Sequence, residues 1–300
     1  MSADTVIEIR GLSKRYKHAV ALDGLSLTVP RGSVYAFLGR NGAGKTTTLK
    51  ILLGLTRATG GEARVLGLPC DNERASLEIR RRAASVNEKK TLYTCMTVEH
   101  IIRFTRPFFP AWNRDLESRY LKAFEIPLQQ KVGALSKGTL SRLNLLLAMC
   151  RGAELLLLDE PTEGLDPAAT EVVLQELMSL AAGAGATIFF SSHQLHEVEQ
   201  IADRVCLIHA GRALLEESLD DIKLRYRRVS MVFEDAPPVE AFAPFGPLQK
   251  DGRTASVVTN GRAAHVVELA RSLGAASIDV QPVTLKELFL ESTRSHHAAA

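Results

Sequence analysis

Eight consecutive residues, Gly39-Arg40-Asn41-Gly42-Ala43-Gly44-Lys45-Thr46, follow the spacing G-x-x-x-x-G-K-[ST]. The chemistry of that spacing is phosphate binding. Glycines let the loop curl until successive backbone N–H groups point inward, making an anion nest at the start of a helix. Lys45 is placed to reach the β- and γ-phosphates of a nucleoside triphosphate, and the Thr46 hydroxyl to coordinate Mg²⁺. Alone, the loop leaves kinases, GTPases and helicases open.

Two further groups carry chemistry. Asp159 and Glu160 follow the apolar run Leu155-Leu156-Leu157-Leu158, and the end of a buried strand is where parallel α/β sheets bind ligands. Asp159 suits a Mg²⁺ ion, held directly or through water; Glu160 suits the polarisation of an attacking water. His193 follows a second apolar run through Ser191-Ser192, on the same sheet edge, where it can contact a γ-phosphate. His193 and His196 also have an i, i+3 spacing that a metal could use. The segment offers no third ligand and no H-E-x-x-H, so zinc is disfavoured.

These groups need a scaffold. Residues 5–10 alternate as a strand, 25–29 read as another, and 34–38 form a continuous apolar run of the kind buried on both faces. Residues 46–55 read as a helix closed by a Gly60-Gly61 turn, followed by a strand over 62–66. From about 73 to 148 the periodicity is helical, punctuated by Pro107, Pro110 and Pro127. Strands at 155–158 and 187–191 flank a helix at 167–181, which implies right-handed crossovers and a mainly parallel sheet. Near residue 225 the composition shifts. Strands at 229–233, 255–259 and 277–281, with helices at 264–273 and 285–292, predict a small α/β appendage.

Composition sets outer limits. Lysines and arginines number 37 against 34 acidic residues, a net charge of +3, too small to point to nucleic acid. Cys70, Cys95, Cys150 and Cys206 are scattered without a C-x-x-C pair, which fits a reducing compartment. No apolar run approaches the roughly 20 residues that span a bilayer, and the N-terminus lacks a basic-then-apolar signal region. The chain is expected to be soluble, any membrane span being supplied by a partner.

Leu135-Ser136-Lys137-Gly138-Thr139, before the acidic pair, resembles the Leu-Ser-Gly-Gly-Gln signature of ABC ATPases, and Gly164-Leu165-Asp166-Pro167 resembles their D-loop. The resemblance runs from residue 5 to about 220. It implies an α/β fold: a P-loop NTPase of ABC type with an N-terminal antiparallel β-subdomain, a helical insertion over about 85–150, and the C-terminal appendage. The nucleotide-binding domain would span 1–224 and the accessory domain 225–300. Nucleotide contacts fall on Tyr16, stacked on adenine, and on Gly39, Arg40, Asn41, Gly42, Ala43, Gly44, Lys45, Thr46 and Thr47. A half-buried strand tyrosine is the other reading of Tyr16. Glu160, His193 and Glu88 would be catalytic. Glu88 stands at the position of the Q-loop glutamine near the ion, so Thr46, Asp159 and Glu88 would hold Mg²⁺. Ser136, Lys137 and Gly138 would meet the ATP bound by an opposite subunit, with Asp166 at the dimer seam. Lys137, Thr139 and Glu88 depart from the family's usual residues, which bears on hydrolysis rate.

The ending Pro282-Val283-Thr284-Leu285-Lys286-Glu287-Leu288-Phe289-Leu290 is similar to that of type-2 exporter ATPases, and the Leu-Ser-Lys-Gly variant, Glu88 and Phe108-Phe109-Pro110-Ala111-Trp112 point the same way. That implies ATP and Mg²⁺ as ligands, a homodimer or sister ATPase subunit, a separate multi-span permease, no nucleic acid, and the cytoplasmic membrane face. The competing class is a soluble ABC ATPase acting on nucleic acid or ribosomes. The cluster Arg80-Arg81-Arg82 with Lys89-Lys90 reads either as a permease or lipid contact or as a solvated helix face.

Overall fold

The computed structural model describes residues 4–87 and 92–298. The chain folds as two compact units, Met1–Glu216 and Glu217–Ala300; the 224/225 division expected from composition falls inside a helix of the second unit.

Along the first unit run β1 (Thr5–Tyr16), β2 (Ala19–Pro30), β3 (Val34–Leu38), α1 (Lys45–Leu52), β4 (Gly60–Val65), β5 (Leu68–Pro69), α2 (Glu73–Arg82) and β6 (Ala83–Val86). Then come α3 (Val98–Thr105), α4 (Arg114–Ala123), α5 (Lys137–Met149), β7 (Leu155–Asp159), α6 (Pro167–Ala184), β8 (Thr187–Ser192), α7 (Leu195–Ile201), β9 (Arg204–His209) and β10 (Arg212–Ser218).

Among the described residues these strands form two sheets. One is antiparallel, ordered β2-β1-β4-β5; the other is ordered β10-β9-β3-β8-β7-β6, with β9, β3, β8, β7 and β6 parallel. Every residue of β3, β7 and β8 is buried, because helices and the second sheet cover both faces. Tyr35, Phe37 and Phe189 share one core with Leu12, Leu25 and Val65 of the antiparallel sheet and Leu49 and Leu52 of α1. The helix after the phosphate loop is thereby clamped between the sheets. Ala43, just before it, is buried in the same core.

Three local expectations change. Gly60 and Gly61 open β4 instead of closing a turn. Gly61 has φ +76° and a Cβ there would fall 2.2 Å from the Gly11 carbonyl, so the pair lets β4 pass close to β1 at a register shift. The region 73–148 is not helical throughout, since Ala83-Ala84-Ser85-Val86 pairs with Leu155–Leu158 as the sheet's outer strand. Its small residues carry no strand signal locally; the neighbour β7 imposes the conformation. Strands β9 and β10 emerge where the periodicity indicated nothing.

The second unit contains α8 (Leu219–Arg225), β11 (Tyr226–Phe233), α9 (Val239–Phe242), β12 (Leu248–Asp251), β13 (Thr254–Asn260), α10 (Ala263–Ser272), β14 (Ala275–Pro282) and α11 (Leu285–Ala298). The sheet order β12-β13-β11-β14, antiparallel throughout, is that of a ferredoxin-like βαββαβ unit. Val229, Met231 and Phe233 alternate along β11 onto one face, where Phe242, Val266 and Ala270 of α9 and α10 complete the core. The opposite face carries Arg228 and Gln249, which bond Glu287 and Glu291 of α11 at 2.9 and 2.5 Å.

Candidate functional site

The phosphate loop lies between β3 and α1, and its glycines are enforced by their surroundings. A Cβ on Gly39 would fall 2.5 Å from the Ile208 carbonyl. Gly44 has φ +112°, and a Cβ there would lie 2.6 Å from the Ala21 carbonyl, so only glycine fits. Lys45 is 7 % exposed, and its Nζ donates to the Gly39 carbonyl at 2.6 Å. A cavity of about 350 Å³ opens here, walled by Ala21, Arg40, Asn41, Gly42, Gly44, Lys45, Thr46, Thr47, Glu160, Glu163 and His193.

Register between β7 and β8 builds the acidic wall. Asp159 pairs directly with Ser191, and the Ser191 hydroxyl donates to Asp159 Oδ1 at 2.7 Å while accepting the Glu160 N–H at 3.0 Å. Glu160 adopts φ +49°, a left-handed conformation that a glutamate holds only under constraint. The turn swings its carboxylate into the cavity. Oε1 lies 3.0 Å from Lys45 Nζ and Oε2 lies 2.8 Å from His193 Nδ1. One carboxylate therefore joins the phosphate loop to the end of β8. The Thr46 hydroxyl and the Asp159 carboxylate offer hard oxygen donors only, a set that fits Mg²⁺ shared with phosphate oxygens.

The signature residues form a separate cluster. Ser136 caps α5, its hydroxyl accepting the Thr139 N–H at 3.1 Å and lying 2.9 Å from Thr139 Oγ1. Threonine at 139 thus braces Ser136. Lys137 is exposed in the first turn. Gly138 packs so close to the D-loop-like segment that a Cβ would stand 3.3 Å from the Gly164 carbonyl. Asp166 caps α6 by accepting the Ala169 N–H at 2.9 Å, a bond that lowers its carboxyl below the ordinary range. Among the described residues lining the loop cavity, none comes from Ser136, Lys137, Gly138 or Asp166.

Tyr16 ends β1 half exposed, with Lys14 Nζ 5.0 Å from its ring centroid and outside the cavity lining. Glu88, Lys89 and Lys90 lie outside the described residues. The arginine cluster disperses into structural bonds: Arg80 caps the Leu53 carbonyl at 2.8 Å, Arg81 sits 3.6 Å from Glu78, and Arg82 binds Glu154 at 2.7 Å. Arg80 and Arg82 thus make structural bonds, while the Arg81 side chain stays largely exposed. Ser191 and Ser192 carry more of the site than their sequence suggested; the signal was the pair of hydroxyls ending an otherwise apolar strand.

Known proteins resemble this chain over most of its length. The ABC transporter family pattern matches residues 22–163. The chain is 36 % identical to the bacitracin transport ATP-binding protein BcrA of Bacillus licheniformis, over 75 % of this chain and 73 % of that protein. It is 37 % identical to the Nod factor export ATP-binding protein I of Burkholderia orbicola, over 70 % of each. It is 32 % identical to the daunorubicin resistance ATP-binding protein DrrA3 of Streptomyces coeruleorubidus, over 97 % of this chain and 96 % of that one. Among solved structures, an ATP-binding subunit of an ABC transporter superposes with a TM-score of 0.66 at 29 % identity, covering 73 % of this chain and 92 % of the other. The chain therefore belongs to the ABC transporter family, as an ATP-binding and ATP-hydrolysing subunit.

Proposed function

We propose that this subunit powers a type-2 exporter, driving transport through a separate multi-span permease by ATP-dependent head-to-tail dimerisation. The observation that carries the dimer is the division of the site. Lys45, Glu160 and His193 line one cavity, while Ser136 and Gly138 lie outside it. One copy covers the nucleotide on one side only; a second copy, or a sister subunit, would bring Ser136, Lys137 and Gly138 over the γ-phosphate, with Asp166 at the seam. Tyr16 would stack on adenine, and the loop from Gly39 to Thr47 would hold the phosphates.

In this reading a triphosphate entering the cavity competes with Glu160 for the Lys45 ammonium. Once released, Glu160 takes a proton from the water that attacks the γ-phosphorus, and ADP departs with its oxygen. His193 orients the Glu160 carboxylate and meets the γ-phosphate. Thr46 and Asp159, with Glu88, would hold Mg²⁺, which supplies charge neutralisation on the phosphate oxygens.

Export is supported by the transport, export and resistance functions in the relatives' names, and by the relative that aligns through the C-terminal unit. These relatives favour the transporter over a soluble ATPase serving nucleic acid or ribosomes. Among the described residues no helix is long and apolar enough to cross a membrane; the proposed place of the subunit is peripheral, on the cytoplasmic membrane face beside the permease. Tyr93, Phe104 and Phe108 are exposed and meet edge-on, with centroids 6.0 and 5.5 Å apart. They suit the helical region for gripping the permease as the dimer closes. Affinity capture from detergent-solubilised membranes tests the reading: a multi-span protein should co-purify, whereas recovery with ribosomes or DNA alone would overturn it.

A further inference from the structure

We infer that Glu197 is a positioning residue for His193 and acts through the hydroxyl of Ser192; this rests on the reading of His193 as the γ-phosphate contact. Glu197 lies in the first turn of α7 and is 1 % exposed. Burying a carboxylate so deeply is costly unless donors surround it. Its Oε2 accepts the Ser192 hydroxyl at 3.1 Å, while Oε1 has no hydrogen-bond partner among the described residues. A helix cap at the surface would need no such burial.

The connectivity explains the arrangement. A first-turn glutamate ordinarily reaches back to the backbone N–H of the N-cap residue, here Gln194. In this chain the Ser192 hydroxyl stands between them, accepting the Gln194 N–H at 2.9 Å and donating to Glu197. The Ser192 carbonyl meanwhile accepts the Gly39 N–H at 3.2 Å. The residues on both sides of His193 are thus fixed, one to the phosphate loop and both to Glu197 through one hydroxyl. The imidazole itself is 42 % exposed, so its direction toward Glu160 is set by this backbone clamp. Ser191 and Ser192 divide the work, the first holding Asp159 and Glu160, the second holding the turn that carries His193.

The test is a mutant cycle in the full chain, reading steady-state ATP hydrolysis and ATP affinity by calorimetry. Glu197→Ala should lower kcat about 10-fold or more while changing ATP affinity by less than about 2-fold. Glu197→Gln, whose amide oxygen still accepts the Ser192 hydroxyl, should stay within about 3-fold of the parent. In a His193→Ala background, Glu197→Ala should cost less than about 2-fold further. The same loss of kcat in both backgrounds would show that Glu197 serves only the fold, and overturns the inference. His193→Ala with unchanged kcat would instead overturn the reading of His193 and the inference with it. If Glu197→Ala fails to fold, Ser192→Ala breaks the same relay and is read by the same cycle.

Discussion

The ammonium of Lys45 is shared between the Gly39 carbonyl, 2.6 Å away, and Glu160 Oε1, 3.0 Å away. The residue proposed to hold phosphate and the residue proposed to activate water are therefore ion-paired, both with little exposure. In the proposed site, nucleotide binding exchanges one anionic partner of Lys45, the Glu160 carboxylate, for another.

That exchange makes Glu160→Gln informative. Hydrolysis should fall at least about 100-fold from loss of the base, while ATP binds as tightly or more tightly because a neutral amide competes less for Lys45. Lys45→Ala should abolish nucleotide binding. Turnover assays and calorimetry check both; near-normal turnover in Glu160→Gln would remove Glu160 from its role.

Ser136 both caps α5 and, in the proposed dimer, faces the opposite γ-phosphate. Aspartate is as good an N-cap as serine, so Ser136→Asp should melt near the parent temperature and bind ATP normally as a monomer. Its negative charge opposite the phosphate should prevent ATP-driven dimerisation in the Glu160→Gln background. Analytical ultracentrifugation with and without ATP reads the outcome.

Glu154, at the foot of β7, is held below the usual carboxylate range chiefly by its hydrogen bond to Arg82, with Arg31 assisting. A carboxyl whose folded pKa is depressed contributes stability above its unfolded pKa and loses it as pH falls through the folded value. Its side chain is 40 % exposed, so solvent screening keeps the contribution under about 1 kcal/mol. Glu154→Gln should melt about 2 °C below the parent at pH 7, and the two melting curves should converge in acid.

Thiol chemistry should separate one cysteine from three. Cys95 is exposed, whereas Cys70, Cys150 and Cys206 are buried. Burial pushes the Cys70 thiol up to about 12 and raises Cys150 and Cys206 as well, leaving almost no thiolate at neutral pH. An aromatic disulfide reagent at pH 8 should titrate one thiol promptly and the others only on unfolding. Cys95→Ser should abolish the prompt phase.

The legible parts of the fold were those whose burial is continuous. Val34–Leu38 and the run before Asp159 announce strands because both faces are covered and every residue is apolar. Strand β6 has no local signal because alanine and serine owe their conformation there to β7, and β10 has none because its residues are mostly half-buried without clean alternation. In the second unit the strand positions were readable, but α9 and β12 are only four residues each, too short for periodicity to show.

The sequence by itself determined the chemistry on offer. The phosphate loop, the Asp159-Glu160 pair, the signature segment and His193 are local patterns, each readable within one turn or one strand end. Only tertiary structure decided how they are joined. Ser191 reaches Asp159 because β7 and β8 pair in one particular register, Glu160 turns inward because its N–H is captured by that same serine, and Glu197 reaches back to the turn through Ser192. Bonds between residues some thirty positions apart depend on strand register and helix docking, which no local pattern encodes.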